Sequence, residues 1–285
     1  MAPIGSAGPT SSVGLAWRGR IGGVILAQIT DTHILAPGEK QFVDNNAMLA
    51  KAIESLNSEN PRPDAVVATG DLTNWGYPEQ YTELAKLASA LEIPFFPMVG
   101  NHDDRALMKQ TFPDMAWADG EHASWVLDIE DTTLIGFDSI DPGQNGAAFD
   151  DERGAWLDST LSSTTKPVIL AMHHPPFTTS IAWMDEQGFR DVDGLRAVIA
   201  DHSSRIIRIL SGHFHRPIIG TVAGVTASVC LSTVHHIDLD LRPVSEPAVI
   251  FDPRGYQLHV VNGSEMVSHT RYIDTGEEAF DPEWD

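Results

Sequence analysis

The sequence predicts an α/β protein in which two packed β-sheets carry helices on their outer faces. Three patterns support this fold class. Short apolar segments alternate with segments of helical periodicity over residues 21–99, which is typical of strands that pair in parallel. Two short strands flank Glu130 and Asp131 as a hairpin, and the chain after Pro217 is mostly short strands. Two packed sheets with helices outside accommodate all three patterns.

The first hundred residues supply most of the helix–strand alternation. A short apolar run at residues 21–30 ends in polar residues and predicts a buried strand. Residues 44–56 have apolar side chains close to helical spacing. Pro61 and Pro63 end that helix, because proline lacks the amide donor and restricts the residue before it. The next predicted elements are a strand at 64–69, a helix at 77–91 and a strand at 95–99.

The remaining elements lie between two segments of tail-like composition. We expect residues 21–275 to form one domain, strand-rich from about 217, with a flexible tail at 1–20 and an acidic tail at 276–285. The predicted elements in this part are strands at 124–129 and 133–137, a helix at 152–161, a strand at 166–172, a helix at 192–200, and strands at 205–210, 218–222, 226–231, 248–251, 257–261 and 267–273.

The composition is that of a globular protein with an acidic surface. The chain has 285 residues, with 42% hydrophobic and 20% charged residues, which suits one large domain or two small ones. Lys and Arg total 18 against 40 Asp and Glu, which gives a formal charge of -22. Such a surface repels nucleic acid and anionic lipid, so we expect neither as a partner. A small anionic substrate then needs local positive charge, such as a metal ion.

The sequence also predicts a cytoplasmic protein. Cys230 is the only cysteine, which excludes an internal disulfide and fits a reducing compartment. No apolar run reaches the roughly 18 residues of a membrane span. Residues 1–20 have no basic start followed by an apolar core, so they do not resemble a signal peptide.

Five fragments place metal-binding residue types directly after an apolar strand. Loops at the carboxyl ends of parallel strands converge in one crevice, so such loops on neighbouring strands bring distant side chains together. A glycine before a ligand lets the backbone turn sharply. The five fragments are Asp31-Thr32-His33, Gly70-Asp71, Gly100-Asn101-His102-Asp103, His173-His174 and Gly212-His213-Phe214-His215.

Taken singly, each fragment is also typical of ordinary structure. Asp-x-His, Gly-Asp and Asn-His-Asp all occur in turns and helix caps. The pair His213 and His215 is a stronger signal, because histidines at i and i+2 of an extended segment can share one site. The joint occurrence of the fragments, all at strand ends, favours a shared metal site over five unrelated turns.

The ligand types indicate the kind of metal site. Four imidazoles, two carboxylates and one amide oxygen suit Mn, Fe, Co or Zn, and the absence of thiolates disfavours a structural zinc site. Seven ligands are too many for one tetrahedral ion but suit two ions that share a carboxylate. Two metals about 3.5–4 Å apart serve in-line displacement at phosphorus.

The order of these motifs resembles that of the calcineurin-like metallophosphoesterases. Within that superfamily it resembles the bacterial branch of class III cyclic nucleotide phosphodiesterases and glycerophosphodiesterases, over about residues 24–240. Residues 38–40 and 232–235 are especially similar to the glycerophosphodiesterase members. The resemblance implies a four-layer αββα sandwich and a metal-dependent hydrolase. Its substrates would be small phosphodiesters, either 3′,5′-cyclic nucleotides such as cAMP or glycerophosphodiesters, attacked in line by a hydroxide that bridges two metals.

The resemblance also implies a role for each residue of the motifs. Asp71 would bridge the metals, and His102 would face the substrate as a donor to the phosphoryl group or the leaving oxygen. His235 would contact either a metal ligand or the substrate, and His174 would point away. Apart from the resemblance, Asn74 is a further candidate contact to the substrate. The implied metal ligands are Asp31, His33 and His215 at the first metal, and Asn101, His173 and His213 at the second, with Asp71 shared.

Departures from other branches favour a diester substrate. Protein phosphatases of this superfamily carry GDxxDRG and GNHE, whereas residues 70–76 and 101–103 lack the arginine that would grip a phosphoprotein monoester. Arg105 is not at the matching position, and no tyrosine stands beside Asp71 as in purple acid phosphatases. A diester carries less negative charge than a monoester, so a site without additional basic clamps suits it better.

Substrate specificity is expected outside the metal loops. Residues 34–46 and 177–190 form long connections that flank ligands, and such loops often serve as lids. His122 is a further candidate contact. Aromatic residues that either stack on a base, line a glycerol pocket or pack in the core are Trp75, Phe177, Trp183 and Phe189.

Two alternative functions and one question of assembly remain open at this level. A broad-specificity phosphomonoesterase or nuclease is one alternative, although the acidic charge disfavours a nuclease. A non-catalytic scaffold is the other, but a scaffold is expected to lack ligands and all seven are present. The strand-rich end and the assembly of relatives in this branch favour a homo-oligomer, a dimer or larger.

Overall fold

Helices and strands alternate along the computed structural model, which describes residues 23–274. The elements of the first half are β1 (Val24–Ile29), α1 (Asn45–Ser58), β2 (Ala65–Ala68), α2 (Pro78–Ala88), β3 (Phe95–Pro97), α3 (Arg105–Thr111), β4 (Trp125–Ile129) and β5 (Thr132–Phe137). Those of the second half are α4 (Asp151–Ser163), β6 (Val168–Met172), α5 (Ala182–Asp185), α6 (Val192–Asp201), β7 (Ile206–Ser211), β8 (Ile218–Val222), β9 (Val225–Val229), β10 (His236–Ile237), β11 (Val249–Ile250), β12 (Gly255–Asn262) and β13 (Glu265–Tyr272).

The strands form two large mixed sheets, as predicted. The first sheet has the order β13-β12-β1-β2-β3, in which β1, β2 and β3 are parallel and β12 runs antiparallel to β1. The second sheet has the order β4-β5-β6-β7-β9-β8, with β5, β6, β7 and β9 parallel. The hairpin at Glu130 and Asp131 joins β4 to β5. Strands β10 and β11 form a separate small ribbon.

Strand alternation builds four layers from these sheets. In β2, Ala65 and Val67 join a buried cluster with residues of the second sheet, whereas Val66 and Ala68 pack with helices α1 and α2. In β6, Ile169 belongs to the same cluster between the sheets, and the flanking apolar side chains pack against α4 and α6. Both faces of each central strand are therefore buried, which explains why these segments are continuous apolar runs.

Aspartate side chains begin several of the helices. Asp44 accepts a hydrogen bond from the Ala47 amide at 3.0 Å at the start of α1, and Asp104 accepts one from the Leu107 amide at 2.8 Å at the start of α3. Such caps satisfy amides that have no partner within the helix. Among residues 23–274, no helix combines the length and apolar character needed to cross a membrane.

The structure differs from the sequence prediction mainly in short elements. Helix α3 and the single turn α5 follow motif or loop residues and were not predicted, because seven and four residues are too few for a clear periodicity. The two-residue strand β10 was also missed. The predicted tails at 1–20 and 276–285 lie outside the described residues, and the expectation that 21–275 form one domain stays a prediction.

Asp103 fastens the loop after β3 to the loop after β2. Its buried carboxylate accepts hydrogen bonds from the backbone amides of Leu72, Thr73 and Gly100 at 3.0, 2.9 and 2.9 Å. It also accepts one from the Thr73 hydroxyl at 2.9 Å. With a longer bond from the Tyr81 hydroxyl at 3.4 Å, one carboxylate satisfies five donors and fixes two loops that carry predicted metal ligands.

We predict that Asp103→Asn destabilises the protein by about 1–3 kcal/mol, because an amide turns a donor group toward backbone amides that need an acceptor. Equilibrium unfolding of the metal-free protein in urea measures this loss. The matched control is Asp104→Asn, which keeps a good helix cap and is expected to change stability by less than about 0.5 kcal/mol. Equal unfolding midpoints for Asp103→Asn and the wild type would contradict the role of this carboxylate.

Candidate metal centre

The predicted ligands meet at the seam between the two sheets. The sequence pattern suggested loops on neighbouring strands at the edge of one sheet. In the structure the ligand segments follow strands of both sheets. Each sheet therefore supplies part of the site. Asp31 and His33 follow β1, Asp71 follows β2, Asn101 follows β3, His173 follows β6, and His213 and His215 follow β7.

The backbone is strained at the candidate ligands themselves. Eight non-glycine residues among residues 23–274 have a positive φ, and five of them are predicted ligands. Such conformations cost about 1–3 kcal/mol each and persist where the surrounding structure fixes them, often at functional sites. The five are Asp31, His33, Asp71, His213 and His215, with φ between 43° and 71°.

The glycines before the ligands serve mainly to make room. Only Gly70 has a positive φ, whereas Gly100 and Gly212 do not. A Cβ on Gly100 would lie 2.2 Å from Asp71 Oδ1, and one on Gly212 would lie 2.8 Å from Asp31 Oδ2. The sharp turn predicted for these glycines is present at Gly70, whereas at Gly100 and Gly212 the glycine permits close packing.

A first group of buried side chains converges from three loops. Their nearest nitrogen and carboxylate oxygen atoms all lie within 4.8 Å of one another. His33 Nε2 and His215 Nε2 are 3.2 Å apart, and His215 Nε2 lies 3.3 Å from Asp31 Oδ1. The group consists of Asp31, His33, Asp71 and His215.

A second group lies on the other side of Asp71. His173 Nε2 is 3.3 Å from Asp71 Oδ2 and 3.2 Å from Asn101 Oδ1. The His213 ring lies 5.2 Å from the His173 ring, and its buried Nε2 has no hydrogen-bond partner. Because Asp71 Oδ2 is also 3.9 Å from His33 Nε2, this one carboxylate lies within reach of both groups.

Backbone carbonyls fix the orientation of two of these imidazoles. His173 Nδ1 donates to the Thr69 carbonyl at 2.8 Å, and His215 Nδ1 donates to the His235 carbonyl at 3.2 Å. Each bond holds a proton on Nδ1 and directs Nε2 into the centre. Histidines that bind metals are oriented by partners of this kind.

Burial and charge set the protonation of the group. Burial lowers the pKa of His33 and of His213 to about 3, so both rings are neutral. Burial raises the pKa of Asp31 to about 7, and the nearby Asp71 charge acts in the same direction. Burial opposes protonation of His173, but the adjacent Asp71 carboxylate raises its pKa to about 9. The negative charge of Asp71 therefore favours a positive charge beside it.

These side chains fit a pair of transition-metal ions. Two buried carboxylates lie together, and no ion pair described for residues 23–274 brings a Lys or Arg to them. Neutral imidazole nitrogens face one another at 3.2 Å, which one shared cation would explain. The buried His213 Nε2 has no hydrogen-bond partner and is a further nitrogen that a cation could bind. Nitrogen and oxygen donors of this kind suit Mn, Fe, Co and Zn.

The predicted substrate-contacting residues border the first group. The half-exposed His102 ring lies 4.7 Å from the His33 ring, and its Nδ1 donates to the Asn74 carbonyl at 2.7 Å. The Asn74 side chain is buried, and its Nδ2 has no partner. The His235 ring stacks 4.4 Å from that of His215. All three lie beside the centre, although what they contact in a complex stays a prediction.

Two other histidines have separate partners. Ser139 Oγ lies 2.9 Å from His174 Nδ1, and the Asn145 carbonyl lies 3.1 Å from His174 Nε2, so both ring nitrogens are occupied. The His174 ring still contacts that of His213, at 4.5 Å, and one ring nitrogen from each of His173, His174 and His213 lies within 4.8 Å of the other two. His122 lies beside Glu152, at 3.9 Å, and has no contact with the predicted ligands.

The mouth of the centre is aromatic. Trp75 is 56% exposed and lies 6.2 Å from the His102 ring, whereas Phe42 is 69% exposed and lies 6.2 Å from the His235 ring. The 51% exposed Phe251 lies 6.4 Å from Phe42. Sequence reasoning singled out Trp75 but missed Phe42 and Phe251, although Phe42 is the lone aromatic residue in a polar loop. The other aromatic candidates, Phe177, Trp183 and Phe189, pack against buried clusters.

Arg105 is not available to a substrate. Its guanidinium binds Asp138 through two hydrogen bonds of 2.6 and 3.0 Å, and it also donates to the Ile140 carbonyl at 2.9 Å. This buried pair ties α3 to the end of β5. The structure therefore agrees with the motif comparison: Arg105 does not bind at the candidate centre as an arginine clamp would.

A family model, curated relatives and a solved structure are similar to this chain. Residues 25–217 match the family model for calcineurin-like phosphoesterases. A probable glycerophosphodiester phosphodiesterase GpdQ from Arcobacter nitrofigilis is 30% identical, with 88% of this chain and 93% of the relative covered. A probable cyclic nucleotide phosphodiesterase from Rhodopseudomonas palustris is 29% identical, with 85% and 89% covered. A dimetal phosphatase from Danio rerio shares the fold at a TM-score of 0.67 and 12% identity, over 88% of this chain and 97% of that one.

These comparisons confirm the expected resemblance. The matched segment extends over more than half of the chain and contains all seven predicted ligands. The named relatives are phosphodiesterases, hydrolases of a superfamily that binds two metal ions. The chain belongs to the calcineurin-like phosphoesterase family.

Proposed function

We propose that this chain hydrolyses small phosphodiesters, either cyclic nucleotides or glycerophosphodiesters, at a pair of metal ions. One observation carries the proposal: the Asp71 carboxylate lies within 3.3 Å of His173 Nε2 and within 3.9 Å of His33 Nε2, between two groups of metal-type ligands. The relatives named above act on these two substrate classes. The proposed ligands are Asp31, His33 and His215 for one ion, Asn101, His173 and His213 for the other, and Asp71 for both.

The metals would supply a nucleophilic water near neutral pH and positive charge for the phosphoryl oxygens. The buried side chains of this centre hold the donor atoms in place. Ligand chemistry limits the ions to Mn, Fe, Zn or Co, and metal analysis of purified protein identifies which are bound.

His102 is the proposed donor to the substrate. Its Nδ1 is held by the Asn74 carbonyl at 2.7 Å, so Nε2 is the ring nitrogen left for a substrate. Nε2 lies 3.9 Å from Asp71 Oδ2, close to the position that would be shared by both metals. From there it can donate a proton to a phosphoryl or leaving oxygen. His235 and Asn74 are proposed to contact the substrate beside it.

The absence of an arginine clamp favours diesters over monoesters. Arg105 is bound to Asp138, and the overall charge of -22 opposes a dianion more than a monoanion. We propose that the exposed rings of Trp75 and Phe42 contact the group esterified to the phosphate, since they lie on two sides of the candidate centre.

The proposal extends to cellular setting and assembly. A buried free thiol at Cys230 suits the reducing cytoplasm. The acidic charge argues against nucleic acid as a partner or substrate. We propose that residues 21–275 form the catalytic domain and that copies associate through the strand-rich part after residue 217. Light scattering of purified protein measures the assembly.

We predict that metal-loaded protein hydrolyses bis(p-nitrophenyl) phosphate and that removal of metal by a chelator abolishes this activity. Re-addition of Mn²⁺ should restore it. The activity on p-nitrophenyl phosphate, a monoester, should be lower in kcat/KM. Hydrolysis that survives chelation, or a preference for the monoester, would count against a metal-dependent phosphodiesterase.

We predict that His102→Ala keeps both metals but loses about 10²–10⁴-fold in kcat, the usual contribution of a general acid. Asp71→Ala should lose bound metal as well as activity, because it removes the carboxylate next to both ligand groups. Elemental analysis and steady-state kinetics separate the two effects. The control is His202→Ala, a histidine of the α6 end that binds Asp158 far from the centre and should change neither quantity. Full activity in His102→Ala would remove it from the mechanism.

We predict that Trp75→Leu discriminates between the two substrate classes. Stacking of a base on an aromatic ring contributes about 1–3 kcal/mol, so kcat/KM for cAMP should fall about 5- to 150-fold. The value for glycerophosphoethanolamine should fall less, because that substrate has no base. Tyr272→Leu is the control, since Tyr272 is 46% exposed on the outer strand β13. Equal losses for both substrates would show that Trp75 does not read the base.

A further inference from the structure

A buried polar chain crosses the apolar core directly beneath the candidate metal centre. Gln28 lies in β1 with no exposed surface, in the otherwise apolar segment VILAQI. Its Nε2 donates to Thr69 Oγ1 at 3.0 Å and to the Ser211 carbonyl at 3.0 Å. Its Oε1 lies 3.1 Å from Nε2 of the buried His259 in β12. Ser268 of β13, at 2.8 Å from His259 Nδ1, ends the chain.

The hydrogen-bonding capacity of this chain is fully used at Gln28. Both amide protons have acceptors, and the amide oxygen has a donor in His259 Nε2–H. Burial lowers the pKa of His259 to about 3, so the ring is neutral and its Nδ1 accepts from the Ser268 hydroxyl. A satisfied buried network specifies one arrangement of the elements that it joins.

The two acceptors of Gln28 belong to different sheets and lie next to metal-ligand segments. Thr69 ends the β2 segment, two residues before Asp71, and its carbonyl accepts the Nδ1 proton of His173 at 2.8 Å. Ser211 ends β7 in the second sheet, two residues before His213. Gln28 itself lies three residues before Asp31. One carboxamide therefore connects residues that precede the metal-ligand segments of both sheets.

Hydrogen bonds from Trp125 Nε1 to the Pro97 carbonyl at 3.0 Å and from Arg208 to the Met266 carbonyl at 3.1 Å also join the sheets. Most of the remaining contact between them gives little directional control. Leu26, Val67, Ile169 and Leu210 fill it, and all are apolar and buried. Apolar packing is non-directional and tolerates small shifts that keep the same volume buried. Metal sites need their ligands within about 0.5 Å of the productive geometry, so the offset between the sheets must be fixed by directional contacts.

We propose that Gln28 is a positioning residue for the metal pair: its carboxamide sets the offset between the two sheets, and so the spacing between the ligands that each sheet carries. This inference rests on the proposed metal centre. It assigns Gln28 no contact with metal or substrate. Its effect passes through Thr69 and Ser211 to the loops that follow them.

The test is Gln28→Met, which keeps an unbranched side chain of similar size but removes all three hydrogen bonds. We expect Mn²⁺ affinity, measured by calorimetry on metal-free protein, to fall about 10–100-fold, as when groups that orient metal ligands are removed. The electron paramagnetic resonance spectrum of the Mn²⁺-loaded protein should show altered coupling between the two ions, because the coupling depends on their spacing. Leu26→Met is the control, two residues earlier on the same face of β1, and should change neither measurement.

The outcomes separate this inference from the proposed function. Wild-type protein that binds fewer than two Mn²⁺ would overturn the metal pair itself. Wild-type protein with two coupled ions, together with Gln28→Met and Leu26→Met of equal affinity and spectrum, would overturn only the positioning role. If Gln28→Met does not fold, Thr69→Val decides, since it removes one acceptor of Gln28 at constant volume. A smaller loss of Mn²⁺ affinity in Thr69→Val supports the inference, and wild-type affinity overturns it.

Discussion

The structure depends on one constraint, which is that the two sheets must hold a fixed offset at their shared seam. Asp31 and Asp71 extend from the first sheet, whereas His173, His213 and His215 extend from the second. Neither sheet has a complete set of ligands, so every property of the centre depends on their alignment. Apolar packing between the sheets supplies most of the cohesion, and a few directional contacts at the seam supply the alignment.

Those directional contacts also explain how the strained backbone persists. The Asp31 amide donates to the Gly70 carbonyl and the His33 amide to the Asp71 carbonyl, both at 3.0 Å. These bonds connect the loop after β1 to the loop after β2. The His213 amide donates to the Asp31 carboxylate at 3.1 Å and connects the third loop across the seam. Each left-handed residue is therefore fixed by a neighbour on another loop. The left-handed backbone directs these side chains into the centre. In an extended backbone, alternate side chains would point away from it.

The sequence was sufficient for the sheets and for the meeting of the polar segments that follow their strands, since apolar runs predict strands and polar residues after them predict a site. The role of each residue in that site stays a prediction. It was insufficient wherever the outcome depended on contacts between distant segments. That the ligands divide between two sheets, and that Phe42 lies beside His235, depends on long-range packing that no local pattern records. Asp103 resembled a turn residue in its motif, and only the structure shows that its carboxylate joins two loops. Gln28 had a local signal, a buried amide in an apolar strand.

The electrostatics of the centre link metal binding to substrate binding. Two buried carboxylates lie without a Lys or Arg partner in the described chain, and burial raises the pKa of Asp31 to about 7. A protein with a formal charge of -22 would repel a phosphodiester from such a site. Bound cations would make the local electrostatic potential positive for the carboxylates and for the substrate. The same positive charge would then stabilise the ionised carboxylates and attract the anionic substrate, so loss of metal would remove substrate affinity together with chemistry.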